Sequence, residues 1–273
     1  MTSPGRPERR YRAPREATPP PVPPDPAAPR LVVGLQPVRE AVRRWGSRLG
    51  AVIVERATGD RAGRLDALAR FAADQGAQRV ERLPNRELDR LSQGVQHQGA
   101  AAWAPALALV EPADLLGDPG LLAVALDGIQ DPQNFGAAIR SAVGLGATGL
   151  AWAEHSSAPL GLATFRASAG AIEHARLCRV PSLVRLLDSA RGAGATVVGL
   201  APDGAVALHD LDLSGPTVLV LGSEHEGLGK AVRRSCTTLA RLTLRGPVES
   251  LNASAACAVA LYVALIQRTI SSA

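Results

Sequence analysis

The first part of the chain alternates short apolar runs with stretches of helical spacing. Leu65 and Leu68, for example, fall on one face of a helix because apolar residues there recur at intervals of three and four. The predicted strands or extended segments are residues 31–33, 51–54, 78–83 and 100–109, and the predicted helices are residues 37–45, 61–73 and 85–91. Pro37 lies near the first turn of one helix, and Asn85 is predicted to cap another. Residues 31–110 are therefore predicted to form a small α/β domain.

Stronger apolar runs follow a stretch rich in proline and glycine at residues 111–120, which is predicted to be a linker. The predicted buried strands are residues 121–126, 149–153, 176–180, 196–200, 217–221 and 241–244. Helical stretches separate most of them, which is typical of a parallel sheet covered by helices. A long final helix is predicted over residues 250–268. The fold class of residues 121–273 is therefore α/β.

Residues 1–30 differ in composition from the rest of the chain. They contain ten prolines, six arginines and three acidic residues, and almost no large apolar side chains. Such a segment buries too little apolar surface to offset the entropy lost on ordering, so a disordered or polyproline arm is predicted. The pattern leaves open whether this arm touches RNA or is only solvated.

The composition of the 273 residues excludes several classes of protein. The three cysteines form no Cys-x-x-Cys pair, which excludes a zinc ribbon, a thioredoxin-like site and a disulfide scaffold, and favours a reducing cytoplasm. The start of the chain has no apolar core, so no signal peptide is expected. The most apolar stretch, residues 253–266, is shorter than the roughly 20 residues of a membrane span. We therefore expect no membrane association.

The formal net charge of +5 is compatible with a nucleic-acid partner, because cationic side chains displace counterions from phosphates. Aromatic residues make up 3% of the chain, which argues against a module that stacks bases on an aromatic platform. The histidines show no metal-ligand spacing, so no metal site is predicted.

Three motifs carry chemical information when they are taken together. The first, LDGIQDPQNFGAAIR at residues 126–140, leads from a strand end through a proline turn to Asn134, which is placed to cap a helix. Gly136 allows close backbone approach, and Arg140 lies about two turns into the helix. Taken alone, this motif also describes an ordinary capped helix with a surface arginine.

The second motif, VLVLGSEHEGL at residues 218–228, places a glycine loop at the carboxyl end of a buried strand, where open α/β sheets bind ligands. Glu224 in this loop is a candidate for orienting a cofactor or a positive side chain. The third motif, LTLRGPVESLNAS at residues 242–254, precedes the last helix. Ser250 or Asn252 can cap that helix, and capping alone would account for both.

In this order and spacing, the three motifs resemble the SpoU/TrmH family of RNA ribose 2′-O-methyltransferases. The matching residues are Asn134, Gly136 and Arg140 in the first motif, Gly222, Ser223, Glu224 and Gly227 in the second, and Ser250, Leu251, Asn252 and Ser254 in the third. The resemblance covers residues 121–268. It extends more weakly to residues 31–109, where GLQPVREA and HQG look like the family's small ribosomal-protein-like substrate-binding domain. Thr243 departs from the pattern, because members usually have proline there. The detailed shape of the cofactor loop is therefore expected to differ from that of other members.

The resemblance implies that residues 121–273 form a trefoil-knotted SPOUT methyltransferase domain, and that the small domain binds RNA. It implies S-adenosyl-L-methionine as the methyl donor and a homodimer whose interface completes the site. The cofactor-binding residues carried over by position are Gly222, Leu242, Leu251, Ser250, Asn252, Glu224 and Leu200. The catalytic residues carried over are Arg140, which the family scheme makes the activator of the 2′-hydroxyl, and Asn134, which would position Arg140 or the ribose. His97 and Gln98 are the candidates for RNA contact in the first domain.

Arg140 raises a chemical question, because a guanidinium is protonated at neutral pH and is a poor base. We expect it to be essential, either as the activator or by holding a phosphate or stabilising a developing alkoxide. The two-domain layout is most similar to bacterial 23S rRNA guanosine-2′-O-methyltransferases, so the expected target is a guanosine of 23S rRNA. Two alternatives stay open: methylation of a tRNA ribose by the same fold, and an RNA-binding or ribosome assembly factor that has lost catalysis.

Overall fold

The computed structural model describes residues 29–271. The predicted arm at residues 1–30 lies outside this range except for its last two residues. Arg30 belongs to the folded domain and not to the arm, because it begins the first strand and is buried. The first strand therefore begins one residue earlier than predicted.

The N-terminal domain is a four-stranded mixed sheet with helices on both faces. Its strands are β1 (Arg30–Val33), β2 (Val52–Glu55), β3 (Val80–Leu83) and β4 (Ala100–Ala104), and its helices are α1 (Leu35–Trp45), α2 (Gly59–Asp74) and α3 (Asn85–Leu91). The strand order is β1-β4-β2-β3, with β2 and β3 parallel and the other two pairs antiparallel. Val38 of α1 and Leu68 of α2 pack on one face, and Leu88 of α3 packs on the other. The predicted small α/β fold is confirmed.

The C-terminal domain is built on a seven-stranded sheet whose neighbouring strands are all parallel. Its strands are β5 (Leu122–Asp127), β6 (Gly149–Ala153), β7 (Leu177–Val180), β8 (Thr196–Leu200), β9 (Val206–Ala207), β10 (Thr217–Gly222) and β11 (Thr238–Arg241), and its helices are α4 (Pro112–Leu116), α5 (Pro132–Gly144), α6 (Leu162–Ala167), α7 (Leu183–Gly192), α8 (Lys230–Ser235) and α9 (Ala253–Ser271). The order across the sheet is β7-β6-β5-β10-β8-β11-β9. The predicted parallel sheet is confirmed.

Helices cover both faces of this sheet because its strands are apolar on both sides. Phe135 of α5 and Leu261 of α9 are buried on one face, and Leu187 of α7 and Val232 of α8 on the other. Gly136 allows α5 to pack close to α6, since a Cβ at this position would lie 2.5 Å from the Cβ of Ala167. The close approach predicted at this glycine is therefore confirmed.

Helix α9 begins and ends three residues later than the helix predicted over residues 250–268. It has 19 residues, and by length and composition alone it is apolar enough to cross a membrane. Cys257, Leu261 and Ala264 on one of its faces are buried in the core of the domain. Arg268 near its end donates hydrogen bonds to backbone carbonyls of Gly120 and Leu121. The helix is thus an integral part of the C-terminal domain.

Three local predictions are wrong. Residues 111–120 are not a bare linker, because they contain α4 and bury Leu115 in the core. The last strand is not at residues 241–244 but at Thr238–Arg241, because Thr238, Leu239 and Ala240 pair with β8. Asn85 does not cap α3, since its side chain donates instead to Asp89 at 2.8 Å.

The two domains are docked through a buried ion pair. The carboxylate of Glu173, with no exposed side-chain surface, accepts hydrogen bonds from the Arg30 guanidinium and, at 2.6 Å, from the Trp45 indole N–H. Arg30 also lies over the ring of Phe165. Gly170, with a φ of 89°, brings its loop against α1. The first domain is therefore held against the second by specific contacts as well as by the connecting chain.

Candidate active site

The three sequence motifs meet at the carboxyl edge of the parallel sheet. Strand β5 ends at Asp127, β8 at Leu200 and β10 at Gly222. Parallel strands present these ends at one edge, where ligands bind in open α/β sheets. Helix α5 starts shortly after β5, and α9 starts within the third motif, so polar side chains from distant parts of the chain come together here.

Asn134, Glu224 and Asn252 form a hydrogen-bonded cluster with one residue from each motif. The Nδ2 group of Asn134 donates to the Glu224 carboxylate. The Nδ2 group of Asn252 donates to Oδ1 of Asn134 at 2.8 Å and to Oε1 of Glu224 at 3.4 Å. Glu224 is therefore held by two neutral amides and not by the positive side chain that the sequence left open.

Asn252 also caps α9, as one of the two residues considered for that role. Its Oδ1 accepts hydrogen bonds from the backbone N–H groups of Ser254 at 2.9 Å and Ala255 at 3.4 Å. Ser250 does not cap the helix, because the helix begins three residues later, at Ala253. The two ends of the Asn252 carboxamide thus have separate tasks, one in the helix and one in the cluster.

Asn134 is not a helix cap, contrary to one sequence interpretation. Helix α5 begins at Pro132, and its cap is Asp131, whose carboxylate accepts from the N–H of Gln133 at 3.0 Å. Asn134 lies inside the first turn. Its side chain is therefore available to the cluster.

A cavity of about 350 Å³ lies beside the cluster, a size within the usual range for small-molecule sites. Six of the seven residues predicted to bind the cofactor line it: Leu200, Gly222, Glu224, Leu242, Ser250 and Leu251. Asn252 does not line the cavity and is connected to it through Glu224.

Two further residues that were not among the predicted site residues line the cavity. Leu244 lies two residues after Leu242 and also lines it, so the third motif contained a signal for this residue. Arg233 of α8 lines it too and forms an ion pair with Asp203 at 2.7 Å. Nothing local in the sequence distinguishes Arg233, because only the packing of α8 brings it to the cavity.

Gly222 is the point where two backbone segments touch. A Cβ on Gly222 would lie 2.1 Å from the carbonyl carbon of Gly227. Ser223 and Gly227 exchange backbone hydrogen bonds of 3.2 and 3.0 Å, and Gly227 has a φ of 64°. The loop therefore folds back on the strand end with no space for a side chain, and it forms one wall of the cavity.

Arg140 does not lie on this cavity. It follows Gln133 by two helical turns, and both side chains line a second cavity of about 440 Å³ between the domains. The Arg140 side chain is exposed, and it has no hydrogen-bond or ion-pair partner among residues 29–271. One chain therefore does not bring the two predicted catalytic residues, Asn134 and Arg140, to the same site.

His97 is buried, and it lines a cavity of about 510 Å³ on the N-terminal domain. Its Nδ1 accepts from the N–H of Gly99 at 2.9 Å, and its Nε2 lies 3.0 Å from the Asp89 carboxylate. Gln98 is exposed, and its Oε1 accepts from the N–H of Leu35 at 3.3 Å. His97 thus shapes the loop, while Gln98 stays at the surface.

In the part of the chain that the structure describes, no three His, Cys, Asp or Glu side chains are grouped to hold a metal ion. The polar groups at the sheet edge are the amides of the cluster, several carboxylates, serine hydroxyls, Arg233 and backbone groups. They suit an organic ligand that is recognised by hydrogen bonds.

Each of the two domains matches a known protein family. The sequence matches the SpoU rRNA Methylase family over residues 121–262 and the family described as RNA 2′-O ribose methyltransferase substrate binding over residues 31–109. A protein of Mycobacterium sp. (strain KMS), named as an uncharacterized tRNA/rRNA methyltransferase, is 39% identical over 245 residues, which are 87% of this chain and 76% of that protein.

Two solved structures resemble both domains. The SpoU methyltransferase AviRb from Streptomyces viridochromogenes, in complex with the cofactor AdoMet, has a TM-score of 0.70 and 28% identity, covering 88% of this chain and 90% of that one. An AdoMet-bound rRNA methyltransferase from Sinorhizobium meliloti has a TM-score of 0.68 and 25% identity, covering 86% of each chain.

The fold and the site define an RNA 2′-O-ribose methyltransferase that uses S-adenosylmethionine and carries its own RNA substrate-binding domain. The chain belongs to the SpoU rRNA methylase family.

Proposed function

We propose that the enzyme methylates the ribose 2′-hydroxyl of a guanosine in 23S rRNA, in the cytoplasm and as a homodimer. The observation that carries the proposal is the cluster of Asn134, Glu224 and Asn252 beside the 350 Å³ cavity, because it joins all three motifs at one place. The likeness to the rRNA methyltransferase of S. meliloti supports an rRNA target, since it extends over 86% of the chain and includes both domains.

The cavity residues fit a nucleoside-containing cofactor. Leu200, Leu242 and Leu251 offer apolar surface for a flat base, and the backbone around Gly222 with the hydroxyl of Ser250 offers polar groups. Because Gly222 has no space for a side chain, a ligand there meets backbone directly. When bound, S-adenosylmethionine supplies an electrophilic methyl group.

Arg140 acts in this proposal beside the cofactor cavity of a partner subunit. Within one chain, Arg140 lies about two turns along α5 from the cluster, and it lines a different cavity. Helix α9, which packs on α5, carries an exposed apolar stripe on its outer face: Val259, Tyr262, Ile266 and Ile270. A second copy seated on this stripe would bury it, and two-fold symmetry would then repeat the arrangement in both subunits.

The role that suits Arg140 is electrostatic. A guanidinium keeps its charge at neutral pH, so it can hold a phosphate or ribose oxygen and stabilise the alkoxide that forms at the 2′-oxygen. The proton of the 2′-hydroxyl then leaves to solvent or to a phosphate oxygen. Asn134 keeps the start of α5 fixed against Glu224 and Asn252.

The first test is methyl transfer from radiolabelled S-adenosylmethionine to unmodified 23S rRNA, with bulk tRNA as the competing substrate. We expect label in 2′-O-methylguanosine after digestion of the rRNA to nucleosides, and none with Arg140→Ala. Label only in tRNA would favour the tRNA alternative. RNA binding without label in any RNA would favour the inactive binding factor.

A mixing experiment tests the homodimer. Arg140→Ala and Gly222→Ala subunits are each expected to be inactive alone. If Arg140 acts across the interface, mixed dimers contain one complete site, and random mixing should restore roughly a quarter of the wild-type activity. If Arg140 acts within its own chain, mixing restores nothing.

A further inference from the structure

Two cavities on the surface lie next to each other. The cavity of about 440 Å³ at Arg140 and another of about 510 Å³ on the N-terminal domain are both lined by Val95 and Gln96. The cavity on the N-terminal domain is also lined by Arg61 and Arg64 of α2. We call this feature the junction groove, since it runs from Arg64 past Gln96 to Arg140 and crosses from one domain to the other.

The junction groove carries positive charge. The arginines that line it are Arg61, Arg64, Arg140 and Arg166. The lining carboxylate is that of Asp89, which is already engaged by His97 at 3.0 Å. Arg64, like Arg140, has no hydrogen-bond or ion-pair partner in the described part of the chain, whereas Arg61 pairs with Glu55 at 2.6 Å. The groove therefore presents uncompensated cations, as an anionic polymer requires.

The middle of the groove is a loop rich in carboxamides. Gln96 and Gln98 line the groove and are exposed, and Gln98 adopts the left-handed backbone conformation, with a φ of 54°. The buried His97 fixes the turn through its bond from the N–H of Gly99. A carboxamide both donates and accepts hydrogen bonds, so it can pair with the edge of an unstacked base.

The two walls of the groove are held in a fixed relation. Arg166 of the C-terminal domain donates from Nε to the carbonyl of Gln96 at 3.2 Å and lies against Gly34. The buried pair of Arg30 and Glu173 joins the domains at the same junction. The groove is therefore a composite surface whose shape depends on the docking of both domains.

We propose that a single-stranded segment of the substrate RNA lies along the junction groove. Arg64 and Arg166 contact backbone phosphates, the exposed carboxamides face the bases, and the strand leads the reacting ribose to Arg140. Single-stranded RNA is favoured over a duplex because its unpaired base edges are accessible to carboxamides in a groove. This inference rests on the proposed function and assigns its substrate path.

The test measures how binding depends on salt. The full-length wild type and its Arg64→Gln, Arg166→Gln and doubly substituted variants are titrated with a fluorescein-labelled single-stranded RNA oligonucleotide of mixed sequence, from about 50 to 300 mM KCl. Each lost phosphate contact on a single strand should reduce the slope of log K against log salt by about 0.7, so the double variant should lose roughly 1.4. The matched controls are Arg70→Gln on α2 and Arg185→Gln on α7, which are exposed and line neither cavity.

Unchanged slopes for the groove variants, or equal changes in the controls, would overturn the proposal. Arg166 also contacts the first domain, so the thermal unfolding of every variant is measured. If Arg166→Gln is destabilised, the proposal is judged on the Arg64→Gln variant alone. The same preparations are assayed for methyl transfer to 23S rRNA, where the groove variants should raise KM for RNA and keep kcat at saturation. Failure of the wild type in that assay would count against the proposed function, whereas the slopes test the groove independently.

Discussion

The carboxamide of Asn252 donates a 2.8 Å hydrogen bond to the side-chain oxygen of Asn134, a residue 118 positions earlier in the chain. The same carboxamide caps α9 through its oxygen and donates to Glu224 through its nitrogen. The two roles use different atoms. They can therefore be separated by substitution.

Asn252→Asp should keep the helix cap and lose the cluster. Aspartate caps helices as well as asparagine does, but its carboxylate cannot donate to Asn134 and would repel Glu224. We expect near wild-type stability with a loss of cofactor affinity and activity. Asn252→Ala should lose both functions, with a cost to the cap of about 1 kcal/mol. Chemical denaturation and calorimetric titration with S-adenosylmethionine measure the two effects, and equal cofactor binding by wild type and Asn252→Asp would contradict the role of the cluster.

Gly222→Ala should damage the cofactor loop. The new Cβ would lie 2.1 Å from the backbone of Gly227, so the loop must move, at a cost of about 1–3 kcal/mol. Binding of S-adenosylmethionine should weaken strongly, because the loop is one wall of the cavity. Gly192→Ala is the control, since no atom lies within 4 Å of a Cβ at that position. A Gly222→Ala protein that binds the cofactor normally would show that this loop is not a cofactor wall.

Glu173→Gln should destabilise the protein much more than loss of a surface ion pair. It leaves the buried guanidinium of Arg30 without a counter-charge, which typically costs about 3–5 kcal/mol. Asp66→Asn, which removes the exposed partner of Arg82, should cost less than about 1 kcal/mol. Urea denaturation compares the two variants. Similar costs for both would mean that the Glu173 pair contributes little to domain docking.

The three thiols should resist alkylation in the folded protein. Burial raises the pKa of Cys257 to about 12, and that of Cys178 and Cys236 to about 11 in each case, because the thiolate is disfavoured away from water. At pH 8 the thiolate fraction of Cys236 is then about one in a thousand. Iodoacetamide followed by mass spectrometry should label the native protein slowly and the denatured protein fully. Rapid labelling of native Cys257 would show that α9 opens readily from the core.

Much of the fold could be predicted from the sequence because secondary structure depends on near neighbours. The apolar runs at Thr196–Leu200 and Gly149–Ala153 match observed strands to the residue. The motifs contain five residues that do line the cavity, Gly222, Glu224, Leu242, Ser250 and Leu251, since family motifs record which residues share a site. The trefoil knot stays a prediction from that resemblance, because periodicity carries no information about threading.

The sequence by itself determined the two α/β domains, the parallel sheet and the family motifs, because periodicity and spacing are local properties of the chain. Only the tertiary structure decided that Arg140 faces the domain junction and not the cofactor cavity, and that His97 is buried. It also paired Arg30 with Glu173 across 143 residues. Such contacts depend on how whole elements pack, and the energy of packing is shared among residues far apart in sequence, so no local pattern specifies them.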